Sequence, residues 1–367
     1  MKIDSEKIGA LRELLAAPHR KIVLVAHTNP DGDAIGASTA WREVLAAMGH
    51  EVTMIVPNKY PYFLDWMPDI REVVIFRFAP EQALEAIRGA DILFCLDFNS
   101  LSRLEALSDA LAENTAARRV LIDHHLSPDD GFDLQFSYPG SSSTCFLLYC
   151  IIEQLCGTEV ITRKMAEALY VGMMTDTGNF AFSFLTPDLF RAVAVLLEKG
   201  IDIPRIHNDV YNGYTEDRAR LFGYAIHRKM NIIQGGTVAY MSLTESEMRR
   251  YRFQQGDSEG FVNYPEHSDI FVKEFIVSEE DVKVKNDAIK KMKMSAMFLG
   301  HHKFIRVSLR SRGEVDVNLF ARKYFDGGGH KNAAGGKSYV SMDETIAHYI
   351  RSVEEFAREG GLDSPSL

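Results

Sequence analysis

The chain has 367 residues, a formal net charge of −10 and 46% hydrophobic content, enough for about two domains with real cores. The acidic balance argues against a surface that coats long or duplex nucleic acid. Four cysteines, Cys95, Cys145, Cys150 and Cys156, form no C-x-x-C pair and sit in or beside apolar runs, which points to buried thiols in a reducing compartment rather than a disulfide framework. The first twenty residues lack the apolar core of a signal peptide, and the longest apolar run, "CFLLYCII", is too short to span a bilayer. A soluble, cytoplasmic protein is expected.

In chain order, "KIVLVAH", "EVTMIVP", "EVVIF", "DILFCLDF" and "RRVLIDHH" read as strands, with helical patterns such as "GASTAWREVLAAMG" and "APEQALEAIRG" between several of them. That alternation predicts an α/β domain over 1–185 with a mostly parallel sheet covered by helices. Within it, "SSSTCFLLYCIIEQLCG" should be a helix that starts on serine caps and stops at Gly157. Residues 186–230 carry further helical patterns and few strand signals, as a helical linker would. From 231 to 358, "GGTVAYMSL", "KMSAMFL", "FIRVSLRS" and "KSYV" resemble strands and "VNLFARKYF" a helix, which predicts a second, smaller α/β domain before a tail at 359–367. The charge is unevenly spread. Residues 285–337 hold twelve Lys or Arg against four acids, a local +8 that leaves −18 for the rest.

Three N-terminal strands end in the same chemistry. "VAHTNPDGDAIGAS" puts His27, Asp31 and Asp33 after the first strand, "FCLDFNS" puts Asp97 after a later one, and "LIDHH" adds Asp123, His124 and His125. Ligands of open α/β sheets bind outside the carboxyl ends of strands, so these loops should converge. Asp176, in "MMTDTGNF", ends an apolar helical pattern and could join them. Imidazole and carboxylate without thiolate suit Mn²⁺, Mg²⁺ or a similar divalent ion. The bland alternative is that Asp31 and Asp33 cap a helix beginning at Gly36 and Ala37, and that Asp123 caps another. It explains neither Asp97 and Asp176 nor the histidine pair.

These motifs resemble those of the DHH phosphoesterases: "HTNPDGDAIGAS", "CLDFNS", "IDHH" and "MTDTGNF" in order, then "VSLRSRG" and "YFDGGGHKNAAGG", which are similar to the DHH-associated domain. Chain length, the separate C-terminal module and "GGGH" look most like the oligoribonuclease (nanoRNase) and pAp phosphatase branch. The resemblance implies that His27, Asp31 and Asp97 hold one Mn²⁺, and that Asp33, Asp97, His124 and Asp176 hold a second, with Asp97 bridging. It implies hydrolysis by hydroxide shared between the two ions. His125 would contact the phosphoryl oxygen or protonate the leaving oxygen, with Asp123 orienting the imidazoles.

For substrate grip, Arg310 with Ser311 at a strand end offers a planar fork to phosphate, and Gly327, Gly328 and Gly329 allow close backbone approach beside His330. Expected substrates are short RNA oligonucleotides, cut to mononucleotides, and pAp, dephosphorylated to AMP; a homodimer is compatible with this. Rival readings within the family are a pyrophosphatase, a single-strand exonuclease and a linear-dinucleotide phosphodiesterase. From outside it comes an inert nucleotide-binding regulator. The segment "KEFIVSEEDVKVKNDAIKKM" is longer and more charged than the resemblance leads one to expect.

Overall fold

A computed structural model describes residues 1–181, 184–267 and 292–362. The charged segment noted around 273–293 lies almost wholly outside the described residues. The chain divides into two compact units, Met1–Gly213 and Tyr214–Leu367. The division comes inside the stretch 186–230 that reads as a linker.

The first unit is built on six strands, β1 (Lys21–Ala26), β2 (Glu51–Val56), β3 (Val74–Ile75), β4 (Ile92–Leu96), β5 (Arg118–Asp123) and β6 (Leu134–Ser137). They lie in the order β3-β2-β1-β4-β5-β6, and every pairing is parallel. Parallel strands are covered on both faces, so their sequences are apolar throughout rather than alternating; all five residues of β4 are buried. Ile22, Leu24, Ala26, Phe94 and Leu96 face one core layer, whereas Val23, Val25, Leu93 and Cys95 face the other. The strand order reverses between β1 and β4. This crevice lies beyond the ends that carry His27 and Asp97, where doubly wound folds bind ligands.

The helices that matter to the site are α1 (Ser5–Leu14), α2 (Gly32–Ala47), α3 (Pro80–Arg88), α4 (Leu107–Glu113), α5 (Thr144–Cys156) and α6 (Arg163–Asp176). Helix α5 starts from a Ser143 cap and stops at Gly157, whose φ of +82° few other residues adopt. Helix α2 begins at Gly32, one turn earlier than the expected start at Gly36, because Oδ1 of Asp31 accepts from the amides of Asp33 and Ala34. Two further expectations need correction. Only Val74 and Ile75 of "EVVIF" form strand, and β6 did not stand out because its four residues carry just one buried apolar side chain, Phe136.

Close approach of α2, α5 and α6 depends on glycine. A Cβ on Gly36 would overlap the carbonyl oxygen of Ala168, and one on Gly172 would overlap both the Cys145 sulfur and the Asp33 carboxylate. Their missing side chains let the end of α6, with Asp176, reach the start of α2.

The second unit contains β7 (Asn231–Ile233), β8 (Val238–Leu243), β9 (Met294–Gly300), β10 (Ile305–Ser311), β11 (Gly328–His330) and β12 (Ala333–Ser338). Their order is β11-β12-β10-β9-β8-β7, with β8–β9 parallel and the other pairings antiparallel. The helices Val317–Tyr324 and Met342–Arg358 pack on one face through Phe320, Tyr349 and Val353. The other face carries Met241, Leu243, Met297 and Leu299 against Leu221 and Phe261. The strand expected at "KSYV" runs instead over Ala333–Ser338, leaving Tyr339 and Val340 exposed. The glycine triplet, read as a loop, contributes Gly328 and Gly329 to the edge strand β11.

Gly172→Ala is expected to destabilise the protein by about 1–3 kcal/mol through overpacking. Gly223→Ala, at a helical site with open space around the Cβ, should be neutral or mildly stabilising. Thermal unfolding of both variants checks this; equal melting temperatures would mean that α6 can withdraw from α2 and α5 without cost.

Candidate metal centre

The site is assembled from the ends of β1, β4 and β5 and from the facing ends of α2, α5 and α6. Asp97 follows β4 with φ of +66°, a left-handed conformation that costs a non-glycine residue about 1–2 kcal/mol and marks functional positions. His27 Nδ1–H donates to the Thr28 carbonyl at 2.9 Å, which leaves Nε2 facing Asp97 Oδ2 at 3.4 Å. His124 repeats the device. Its Nδ1–H donates to the Ser141 carbonyl at 3.2 Å, and its Nε2 lies 3.0 Å from Asp176, 3.5 Å from Asp97 and 3.8 Å from Asp33. Pinning one ring nitrogen to a backbone carbonyl fixes the tautomer and aims the other, as in metal-ligating histidines.

Two groups of potential ligand atoms thus lie within 4.8 Å of one another: His27, Asp31 and Asp97, and Asp33, His124 and Asp176. Asp97 reaches both histidines. Asp123, Asp97 and His125 form a third such group, in which His125 Nδ1 is 2.6 Å from Asp123 Oδ1. Hard oxygen donors with two imidazoles, no thiolate and four carboxylates fit a pair of divalent cations.

Electrostatics without a cation shows the cost of this arrangement. Burial, followed by the charges of Asp97 and Asp176, holds the Asp33 carboxyl well above its ordinary range. Burial pushes Asp176 and Asp123 up to about 6. For Asp97, burial is outweighed by the hydrogen bond and charge of His27 together with the charge of His124, and its value is lowered. Burial acts to lower His124, but the hydrogen bond and charge of Asp176 outweigh it and raise the imidazole well above its usual value. His27 is raised as well: burial and Arg103 act against its charge, and Asp97 and Asp31 prevail. These groups share protons where cations would replace them.

Helix α5 supplies contacts that the motif reading missed. Both oxygens of Asp33 accept from its first amides, Thr144 N at 2.6 Å and Cys145 N at 2.8 Å, and the Thr144 hydroxyl donates to Asp97 Oδ1 at 2.9 Å. One buried threonine therefore touches a carboxylate of each group. The run of serines before an apolar helix signalled the cap, yet nothing local announced which acids it would face.

The second unit holds the residues read as substrate-binding. Arg310 lies on β10, where the alternation of buried and half-buried residues puts Arg306, Ser308 and Arg310 on the face away from the Val317–Tyr324 and Met342–Arg358 helices. They line a groove with Ser258, Glu259, Gly260 and Val262, so an acidic residue borders it. Ser311 lies elsewhere: it is buried, its hydroxyl donates to the Val315 carbonyl at 2.7 Å and accepts from Asn332 at 3.0 Å, so that side chain is committed to a turn. Gly327 N donates to the Ala321 carbonyl and Gly329 N to Asn318 Oδ1, which occupies two of the three amides offered to phosphate. A Cβ on either residue would overlap the backbone of β12, a packing reason for glycine at both. His330 is half-buried at the end of β11.

Residues 21–173 match the DHH family, N-terminal domain, and residues 269–359 match the DHHA1 domain. A bifunctional oligoribonuclease and PAP phosphatase NrnA from Thermus thermophilus is 27% identical over 97% of both chains. One from Bacillus subtilis is 25% identical over 88% of this chain and 90% of its own. The crystal structure of an exopolyphosphatase-related protein from Bacteroides fragilis superposes with a TM-score of 0.83 at 35% identity, covering 97% of this chain and 98% of that one. Fold and buried centre together define a metal-dependent phosphoesterase. The chain belongs to the DHH family, with a DHHA1 domain in its C-terminal half. Among the described residues no helix is long and apolar enough to cross a membrane.

The raised carboxyls and imidazoles all bind protons more tightly in the folded chain than in the unfolded one, so each contributes stability that is lost as pH rises. Metal-free protein should accordingly lose stability between an ordinary carboxylate value of 3.8 and about 6, and Mn²⁺ should restore it above that window. Melting temperature against pH, with chelator and with Mn²⁺, reads this directly; parallel curves would contradict it. Thr144→Val, which keeps shape but removes the donor to Asp97, is expected to weaken Mn²⁺ binding by about 10–100-fold, whereas Thr144→Ser should stay near wild type. Calorimetric titration separates the two, and full affinity in the valine variant would show that Asp97 needs no such support.

Proposed function

We propose that the protein is a Mn²⁺-dependent phosphoesterase that cuts short oligoribonucleotides to mononucleotides and removes the 3′-phosphate of pAp to give AMP, with Mg²⁺ as an alternative ion. The observation that carries this reading is the placement of Asp97 between two His–Asp groups, each with its imidazole Nε2 aimed inward. The substrate class is supported by the oligoribonuclease and PAP phosphatase relatives that align over almost the whole chain.

In this reading His27, Asp31 and Asp97 hold one cation, and Asp33, Asp97, His124 and Asp176 hold the other. Bound there, the cations would supply Lewis acidity and activate water at neutral pH. The chain supplies the rest. Helix α5 holds Asp33 and Asp97 so that their geometry does not have to reorganise during the reaction. His125 keeps its Nδ1 proton on Asp123, so in its cationic form the proton available to a leaving oxygen is on Nε2, and the Asp123 carboxylate offsets the imidazolium charge. Arg310 binds a phosphate of the substrate as a planar fork, with His330 and the glycine hairpin beside it on the same sheet. The acidic charge of the remaining chain gives additional nucleotides little attraction, which favours short substrates.

Turnover by Mn²⁺-loaded protein is expected to be most efficient on about two to five nucleotides and to fall for strands several times longer, with a shallow salt dependence because few phosphates are neutralised. Arg310→Ala should raise KM on oligonucleotides and pAp, leaving kcat on a small activated phosphodiester nearly unchanged. Chromatography of products from an oligomer series, pAp and pyrophosphate decides the substrate class. Processive degradation of long strands, or rapid turnover of pyrophosphate alone, would defeat the reading.

A further inference from the structure

The loop that carries His27 and Asp31 is tied to the chain on each side of it. On the β4 side, Thr28 N donates to the Arg103 carbonyl at 2.9 Å. On the β2 side the backbone ladder gives out. The register that pairs Val25 with Ile55 leads two residues further on to His27 and Pro57, and proline has no N–H with which to extend a ladder. The Pro57 carbonyl is turned to the other neighbour, where it accepts from Arg77 N at 3.2 Å.

A side chain takes over from the ladder. Asn29 N–H donates to Asn58 Oδ1 at 2.6 Å, and Asn58 Nδ2 donates to Asn29 Oδ1 at 2.9 Å. Both ends of one carboxamide thus meet one residue, which fixes the amide's orientation, since a flipped amide would set donor against donor and acceptor against acceptor. Asn29 stands at φ of +57°, a left-handed conformation that asparagine tolerates better than most residues. It turns the chain between two ligand positions, His27 two residues before it and Asp31 two residues after. Asp31 Oδ1 is committed to capping α2, so the place of its other oxygen follows from the cap and this turn. The second group is supported elsewhere: amides of α5 hold Asp33 at 2.6 and 2.8 Å, and the Ser141 carbonyl holds His124.

We infer that Asn58 is a positioning residue for the cation held by His27, Asp31 and Asp97, and that it sets the affinity of this position separately from that of the position formed by Asp33, His124 and Asp176. It acts through Asn29, by fixing the turn from which His27 and Asp31 project. Thr144, which touches a carboxylate of each group, has no such selectivity. The inference rests on the two-cation reading and adds to it that the two positions are held by different parts of the fold, so that one can be weakened alone.

The test is Mn²⁺ titration of wild type, Asn58→Ala and Thr186→Ala, with free and bound ion read by electron paramagnetic resonance. Thr186 caps the Pro187–Glu198 helix of the same unit, its hydroxyl accepting from Leu189 N at 3.3 Å, so its alanine variant lowers stability without touching the loop. Asn58→Ala should bind one ion as the wild type does and the other about tenfold more weakly, the scale of losing a group that orients a metal ligand, and the signal of coupled ions should appear only at correspondingly higher Mn²⁺. Thr186→Ala should melt lower and bind both ions normally. On a short oligoadenylate, Asn58→Ala should need about tenfold more Mn²⁺ for half-maximal turnover, with kcat at saturating ion within about twofold of wild type. Equal weakening of both ions, wild-type binding of both, the same selective loss in Thr186→Ala, or a kcat that stays low at saturating Mn²⁺ overturns the inference, while two ions in the wild type uphold the parent reading. An Asn58→Ala chain that melts far below Thr186→Ala, or does not fold, overturns it as well, because the pair would then hold the fold and not one cation. Wild-type protein that binds fewer than two ions defeats the parent reading and the positioning role with it.

Discussion

Buried carboxylates held together without a cation are the constraint on which the rest of the structure depends. Asp33, Asp97 and Asp123 are almost wholly removed from water, and Asp176 stands beside them. Like charges at such distances oppose folding unless protons or metal ions neutralise them. The chain counters this partly by itself: the first amides of α5 solvate Asp33, Thr144 solvates Asp97, and two imidazoles share the remaining charge. The glycines of α2 and α6 are needed for the same reason, because a single added methyl group at Gly172 would separate the elements that hold Asp33 and Asp176. The surrounding apolar core, with Trp41, Phe94 and Tyr170 fully buried, gives the rigidity that keeps mutually repelling groups in place.

The second unit solves a different electrostatic problem. Its outward sheet face concentrates arginine and lysine in a chain that is acidic elsewhere. Arg306, Ser308 and Arg310 lie half-buried on a strand whose alternate residues, Val307 and Leu309, are locked into the core.

Much of this was legible in the sequence because apolar runs ending in His and Asp report both a buried parallel strand and a polar ligand at its end. The strands β1, β4 and β5 are of that kind, and the order of their motifs placed His27, Asp97 and His124 at neighbouring strand ends. Strand β6 and the short β7 were not legible, since four or three residues with little apolar content carry too weak a period. The Gly328–Gly329 strand reads as a turn because glycine's permissiveness hides the close strand approach that also requires it. Ser311 shows a further limit. Beside Arg310 it looks like a ligand contact, yet the alternation of β10 turns it inward. The role of Thr144 depends on two carboxylates more than forty residues away in sequence, and only tertiary structure brings them together.

The most direct measurement of the central claim is the Mn²⁺ stoichiometry of the chain, read by equilibrium titration with electron paramagnetic resonance of free and bound ion. Two bound ions with the spectral signature of magnetic coupling are expected for the wild type. One uncoupled ion is expected after His27→Ala, and loss of coupling with greatly weakened binding after Asp97→Ala. A single bound ion in the wild type, or two coupled ions that persist without Asp97, would contradict the account.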